Sequence, residues 1–237
     1  YKGNVVLRSG AKAVKWKAVE SLEGIQIGPL LRDLTGEDRL EGTGRLKVDL
    51  AGSGLSDKAV RQSAAGTASF AFHDGMVKGV NLAQILREVQ AALRGQRLDS
   101  KGPLQTDFST LAGTLKVGGG EVRNDDLLMK TPFLRVEGEG DAHLVREELD
   151  YLITAKVVGS TKGQGGREFA DLEGVSVPVK VRGSFDAPTF SPDIEGVVKT
   201  LAAKRLDEET EKLKEKAGGE LQQKAVEELG KALKGIF

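Results

Sequence analysis

The sequence predicts a mainly β protein of the α+β kind. A strongly curved antiparallel sheet of many strands forms a groove or half-barrel, with one packed helix at about 81–94 and amphipathic helices at the C-terminus. Three observations predict it. From Thr106 to Gly166, apolar and polar residues alternate over four segments separated by Gly, Asn and Asp, the pattern of an antiparallel meander with one buried face. Glycine is abundant at 31 of 237 residues while aromatics are scarce at 5%, and glycine within strands marks curvature, bulges or close approach to the sheet. In the body of the chain, a single stretch, Asn81 to Arg94, combines a cap, a helical stripe and a glycine stop.

Taken in order, Tyr1–Arg8 and Ala11–Val19 pair as a hairpin around Ser9-Gly10, with Trp16 a half-buried strand aromatic rather than a ligand-facing one. Gly28-Pro29 opens one or two helical turns, proline standing where a first turn tolerates it. Arg45–Leu50 alternates as a strand, Ser56 caps a short helix to about Ser63, and Thr67–His73 is a strand with Ala68, Phe70 and Phe72 on its apolar side. His73 faces the other way, solvated. Asp74-Gly75 is a turn signal, and Met76–Val80 continues as strand. Asn81 caps the helix whose stripe is Leu82, Ile85, Leu86, Val89 and Leu93, and Gly95 ends it.

The four segments of the meander follow: Leu111–Val117, Val122–Met129, Thr131–Ala142 and Leu149–Val157. Gly159–Asp171 is a loop; its Gly163–Gly166 run has neither the following helix nor the Lys-Ser/Thr pair of a phosphate cradle, and with Asn124-Asp125-Asp126 it reads as turn chemistry. Val175–Phe185 alternates again, and Pro178 inside it favours an edge or a bulge. After a turn at Asp186-Ala187-Pro188 and a short strand at Thr189-Phe190, Ser191-Pro192-Asp193 starts a helix. Gly218-Gly219 breaks it, and a second amphipathic helix runs from Leu221 to Phe237. This tail packs on the domain, pairs with a partner helix or lies on a membrane. The expected division is thus a sheet domain over 1–190 and a helical tail over 191–237.

Composition narrows the function. Lys plus Arg equals Asp plus Glu at 35 each, which argues against a dedicated nucleic-acid binder. Cysteine is absent and histidine occurs only as His73 and His143, so thiolate chemistry is excluded and a histidine metal site is not expected. No catalytic pairing of carboxylates stands out, and neither an enzyme nor a cofactor is expected. No apolar run approaches the roughly 18 residues of a membrane span. The chain begins at Tyr1 in strand-like sequence and reads as a segment of a longer protein.

At Leu22–Leu31 with Leu40–Gly44, Phe72–Gly75 with Lys78–Leu82, Thr106–Ser109, Asn124–Leu127, Thr131–Val136, Leu149–Tyr151, Gly163–Gly166, Val177–Val179 and Gly183–Pro188, the chain resembles the C-terminal region of bacterial AsmA-like proteins. The ordered set covers nearly the whole chain. The resemblance implies a module of the Gram-negative envelope, lying in the periplasm, with the parent protein anchored to the inner membrane by an N-terminal helix that this chain lacks. It also implies kinship with bridge-like lipid-transfer proteins, whose β modules form apolar grooves. The expected ligand is a phospholipid or other envelope lipid, with an outer-membrane or periplasmic protein as a further partner. The expected lipid-facing residues are Leu111, Leu115, Val117, Leu134, Val136, Tyr151, Ile153, Val177, Val179 and Val181. The alternative is a docking module that caps a groove and meets its partner through the C-terminal helices. Period-two patterning does not distinguish an open groove from a dry core.

Overall fold

Alternation carried through the whole chain builds one sheet. The computed structural model describes residues 2–9, 14–98, 102–158, 169–204, 206–207 and 209–214. Ten strands pair with their sequence neighbours only, all antiparallel, in the order β1 to β10. They are β1 (Lys2–Ser9), β2 (Val14–Gln26), β3 (Leu40–Ser53), β4 (Ala65–Lys78), β5 (Gln105–Gly118), β6 (Glu121–Lys130), β7 (Leu134–His143), β8 (Glu148–Val157), β9 (Ser176–Ser184) and β10 (Pro188–Pro192). Helices interrupt the meander at three crossings: α1 (Ile27–Thr35), α2 (Asp57–Ser63) and α3 (Leu82–Leu93). Ser56 Oγ accepts from the Ala59 N–H, and Asn81 Oδ1 from the Gln84 N–H, so both caps act as their sequences imply.

The pairing register sorts the side chains. One face carries Trp16, Leu46, Val48, Phe70, Phe72, Leu111, Leu115, Met129, Leu134, Val136, Ile153, Val177 and Val179; the other carries mainly Lys, Arg, Ser, Thr and acids. Strand glycines Gly3, Gly44, Gly52, Gly66, Gly113, Gly138, Gly140 and Gly183 all fall on the apolar face. At three of them an aromatic ring occupies the space left: Trp16 opposite Gly52, Phe70 opposite Gly113 and Tyr151 opposite Gly140. Covering a glycine with a cross-strand ring recovers packing that the missing side chain forfeits.

The sheet is not closed, but side chains bridge elements that do not pair. The start of β3 lies against the β9–β10 turn. There Arg39 donates to the Phe185 carbonyl at 2.9 Å and to the Asp186 carbonyl at 3.1 Å. At the other end of β3, α2 crosses toward the β7–β8 turn, where Arg61 donates to the Leu144 carbonyl at 3.1 Å and pairs with Glu147.

Three local features depart from the sequence reading. Asp74-Gly75 is not a turn: β4 runs through it, and Asp74 at φ 51° sits opposite the Glu41/Thr43 register shift as part of a bulge. Asn124-Asp125-Asp126, expected as turn chemistry, lies mid-strand in β6. Pro178 stands in an interior strand, but β10 ends opposite Val179 and the Pro178 carbonyl accepts from Asp193 N–H just beyond. The missing N–H of Pro178 points the same way, past the end of β10, and costs no ladder bond.

The chain divides into two units, Tyr1–Ile194 and Glu195–Phe237. In the second unit, residues 195–204, 206, 207 and 209–214 are helical, and Val198, Leu206 and Leu213 are exposed. The Gly163–Gly166 run and the expected helix from Leu221 to Phe237 lie outside the described residues.

A side chain at residue 44 would overlap the Ala71 carbonyl and the Phe72 Cα, both backbone, whereas one at residue 118 would meet open space. Urea unfolding will show Gly44→Val losing about 1–3 kcal/mol or more, and Gly118→Ala staying within about 0.5 kcal/mol of the parent.

Candidate functional site: the apolar face and its uncovered strip

All ten residues expected to face a lipid share the apolar face, but they divide by cover. Leu111, Leu134, Val136, Ile153, Val177, Val179 and Val181 are buried, Leu134 and Val177 at 0% exposure. Leu115, Val117 and Tyr151 are half-buried. The buried set forms the dry core with α3, whose Leu86 and Val89 are 1% and 0% exposed, and with Phe169, Leu172 and Val175. α3 is fixed at both ends. The Leu82 N–H donates to Thr106 Oγ1 at 3.0 Å, and that hydroxyl donates to the Val80 carbonyl. Gln90 and Arg94 both donate to Asp171, within a single 3₁₀ turn at Ala170–Leu172. The stacked rings of Phe133 and Phe169, 5.8 Å apart, complete the cover.

Away from α3 the same face is less covered. Leu115, Val117 and Tyr151 continue across β2–β4 into Trp16, Ala18, Leu22, Leu46, Val48, Leu50 and Phe70, all half-buried. These β2–β4 residues were missing from the expected set, although their alternation is visible in the sequence. The Trp16 indole N–H and both Glu20 carboxylate oxygens are enclosed without a partner among the described residues. The strip is therefore apolar with isolated polar atoms inside it.

The floor of the strip is set by a polar lock. β6 carries an extra residue against β7 between Asn124 and Leu127. Asn124 Nδ2 donates to the Thr114 carbonyl at 2.9 Å, and Asp126 Oδ1 accepts from the Thr114 N–H at 2.7 Å and from Asn124 Nδ2 at 2.8 Å. Two side chains thereby replace the ladder bonds that the bulge removes. The Tyr151 hydroxyl donates to Asn124 Oδ1. Burial, with the nearby Asp126, Asp125 and Glu139, pushes the Tyr151 phenol well above its ordinary range, so it stays a donor. The Lys116 ammonium, 3.0 Å away, holds the Asp125 carboxyl below the usual carboxylate range, with help from Arg123. None of these groups forms a nucleophile–base pair. Among the described residues no three His, Asp or Glu side chains converge as a metal site, and no helix is long and apolar enough to cross a membrane. His143 Nδ1 accepts from the Arg146 N–H at 3.0 Å, a turn role, and His73 is exposed.

The sequence model of the AsmA family matches residues 2–127, the stretch that supplies β1 to β5, most of β6 and all three helices of the first unit. The chain belongs to the AsmA family. As a member it is also similar to Protein AsmA of Escherichia coli (strain K12), with 24% identity over 216 residues. That alignment covers 88% of this AsmA-family chain and 34% of the relative, so the chain spans about a third of the relative's length. No solved structure matches.

The Asn124 lock is open to a double-mutant cycle. Asn124→Ala leaves the Thr114 carbonyl and the Tyr151 hydroxyl short of partners and is expected to cost about 1–3 kcal/mol in chemical unfolding. Tyr151→Phe in that background is expected to cost less than it does alone, because the two share one bond.

Proposed function

We propose that this chain is a non-catalytic periplasmic module of the Gram-negative envelope that holds phospholipid acyl chains on its uncovered apolar strip. In this reading it supports lipid transport to the outer membrane and outer-membrane assembly, within a parent protein anchored in the inner membrane. The observation that carries the reading is the half-open strip of Trp16, Leu46, Val48, Phe70, Leu115 and Val117, continuous with a dry core but outside the cover of α3. Membership of the AsmA family supports an envelope and lipid role. Burial is worth about 0.8 kcal/mol per methylene, so a few contacted methylenes hold a chain without a specific polar site. The strip rather than the ten-residue set is the binding surface, since seven of those ten are buried, none more than 8% exposed.

Photoreactive residues placed at positions 46 and 115 are expected to crosslink to lipid in cells, and the same probe at 134 or 177 is not. Organic extraction with mass spectrometry of the purified chain identifies the lipid. Failure of both strip positions to crosslink, with no lipid extracted, would sink the proposal.

A second reading, a docking module, is favoured by one observation. Val198, Leu206 and Leu213 are 48%, 64% and 68% exposed in helical residues at spacings of eight and seven, which at helical period is a single stripe. A chain ending at Pro192 is expected to retain lipid but lose the function of the parent protein in a membrane-integrity assay.

A further inference from the structure

The opposite face of β1–β5 carries a second candidate site, separate from the apolar strip. A recess of about 1070 Å³ lies there, a volume ordinary for ligand sites. Its base includes one cross-strand row, fixed by register through five strands: Lys2 opposite Ser21, Ser21 opposite Lys47, Lys47 opposite Ser69, and Ser69 opposite Thr114. The row is two ammoniums and three hydroxyls, with no acid in it. Every member can donate a hydrogen bond.

Charge placement makes the row selective. Lys17, in the same recess, is neutralised by Asp49 at 3.2 Å. Lys2 and Lys47 have no carboxylate partner among the described residues. Glu20 turns its carboxylate to the other face, where a side chain at residue 3 would collide with it. Farther along the polar face, Asp125, Glu137 and Glu139 line a separate recess. The chain is neutral as a whole, but this face is basic at β1–β3 and acidic at β6–β7. Lys2 and Lys47 stand two strand spacings apart, about 10 Å, with Ser21 between them, and long side chains converge over that distance onto one anion. Beside the row, Val19, two residues from Ser21 on the same face of β2, is 42% exposed, so apolar area adjoins the cationic row.

We infer that Lys2, Ser21 and Lys47 bind the phosphate of an anionic glycerophospholipid, with Val19 against the carbons next to it and the Ser69 and Thr114 hydroxyls continuing the row beyond. The sheet separates this site from the apolar strip, so it does not depend on the strip holding acyl chains. Charge-assisted bonds from two ammoniums to phosphate oxygens supply the attraction, and salt weakens it.

Titration of the whole chain with monomeric dihexanoyl phosphatidylglycerol, dihexanoyl phosphatidylcholine, glycerol phosphate and inorganic phosphate tests this. Phosphatidylglycerol is expected to bind about tenfold or more tighter than phosphatidylcholine, a difference of about 1.4 kcal/mol. The Lys2→Gln/Lys47→Gln variant erases that preference, and Lys180→Gln on β9 leaves it intact. Both lysines are exposed, so circular dichroism should show the variant folded. Equal binding of the two lipids, no binding of either, or an unaffected double variant overturns the inference. Inorganic phosphate or glycerol phosphate binding as tightly as phosphatidylglycerol overturns its lipid part and leaves a phosphate site.

Discussion

A sheet bends toward the face that carries less side-chain volume. Here the strand glycines are gathered on the apolar face, and most of the rest depends on that asymmetry. It lets ten long strands curl round a shared interior without closing into a barrel. The rings of Trp16, Phe70 and Tyr151, each opposite a glycine, fill what would otherwise be voids. At the start of β3, Arg39 bridges to the β9–β10 turn across a gap that no strand pairing spans.

Cover, rather than composition, decides what each part of the interior can do. Over β7–β9 the aliphatic face is sealed by α3 and the Asp171 turn, and contributes stability. Over β2–β4 the same kind of face lies beyond α3, with α1 and α2 packed mainly against β3 of those strands, and its side chains are half-buried rather than sealed. The polar locks at Asn124 and Thr106 keep the boundary between these regions fixed, because each satisfies buried backbone groups that would otherwise have to reach water. On the outer face, charge of both signs cancels in the sum but not in space.

The strands were legible because period two leaves its mark wherever one face is buried, and α3 because cap, stripe and stop agree. The Asn81 and Ser56 caps follow from local chemistry alone. Asn124-Asp125-Asp126 and Asp74-Gly75 misled for one reason: a bulge inside a strand uses the short polar side chains and left-handed backbone of a turn. The ten residues expected to face a lipid share one face, since alternation reports which side a residue occupies. Seven of them are buried, because alternation does not report what lies above that face. The Arg39 and Arg61 bridges span 146 and 83 residues of sequence and have no local signal.

β1 is exposed along all eight of its residues, including Val5 at 61% and Leu7 at 63%, and among the described residues pairs on one side only. Its outer row of amides and carbonyls points away from the sheet with its bonding capacity unspent. An incoming extended segment would need no existing bond to break, and would find aliphatic neighbours on both surfaces. The fold is therefore indifferent to strand number at this margin. The helical cover, the Arg39 bridge and the bulges all sit inward of it, so the sheet can grow outward there with its architecture unchanged.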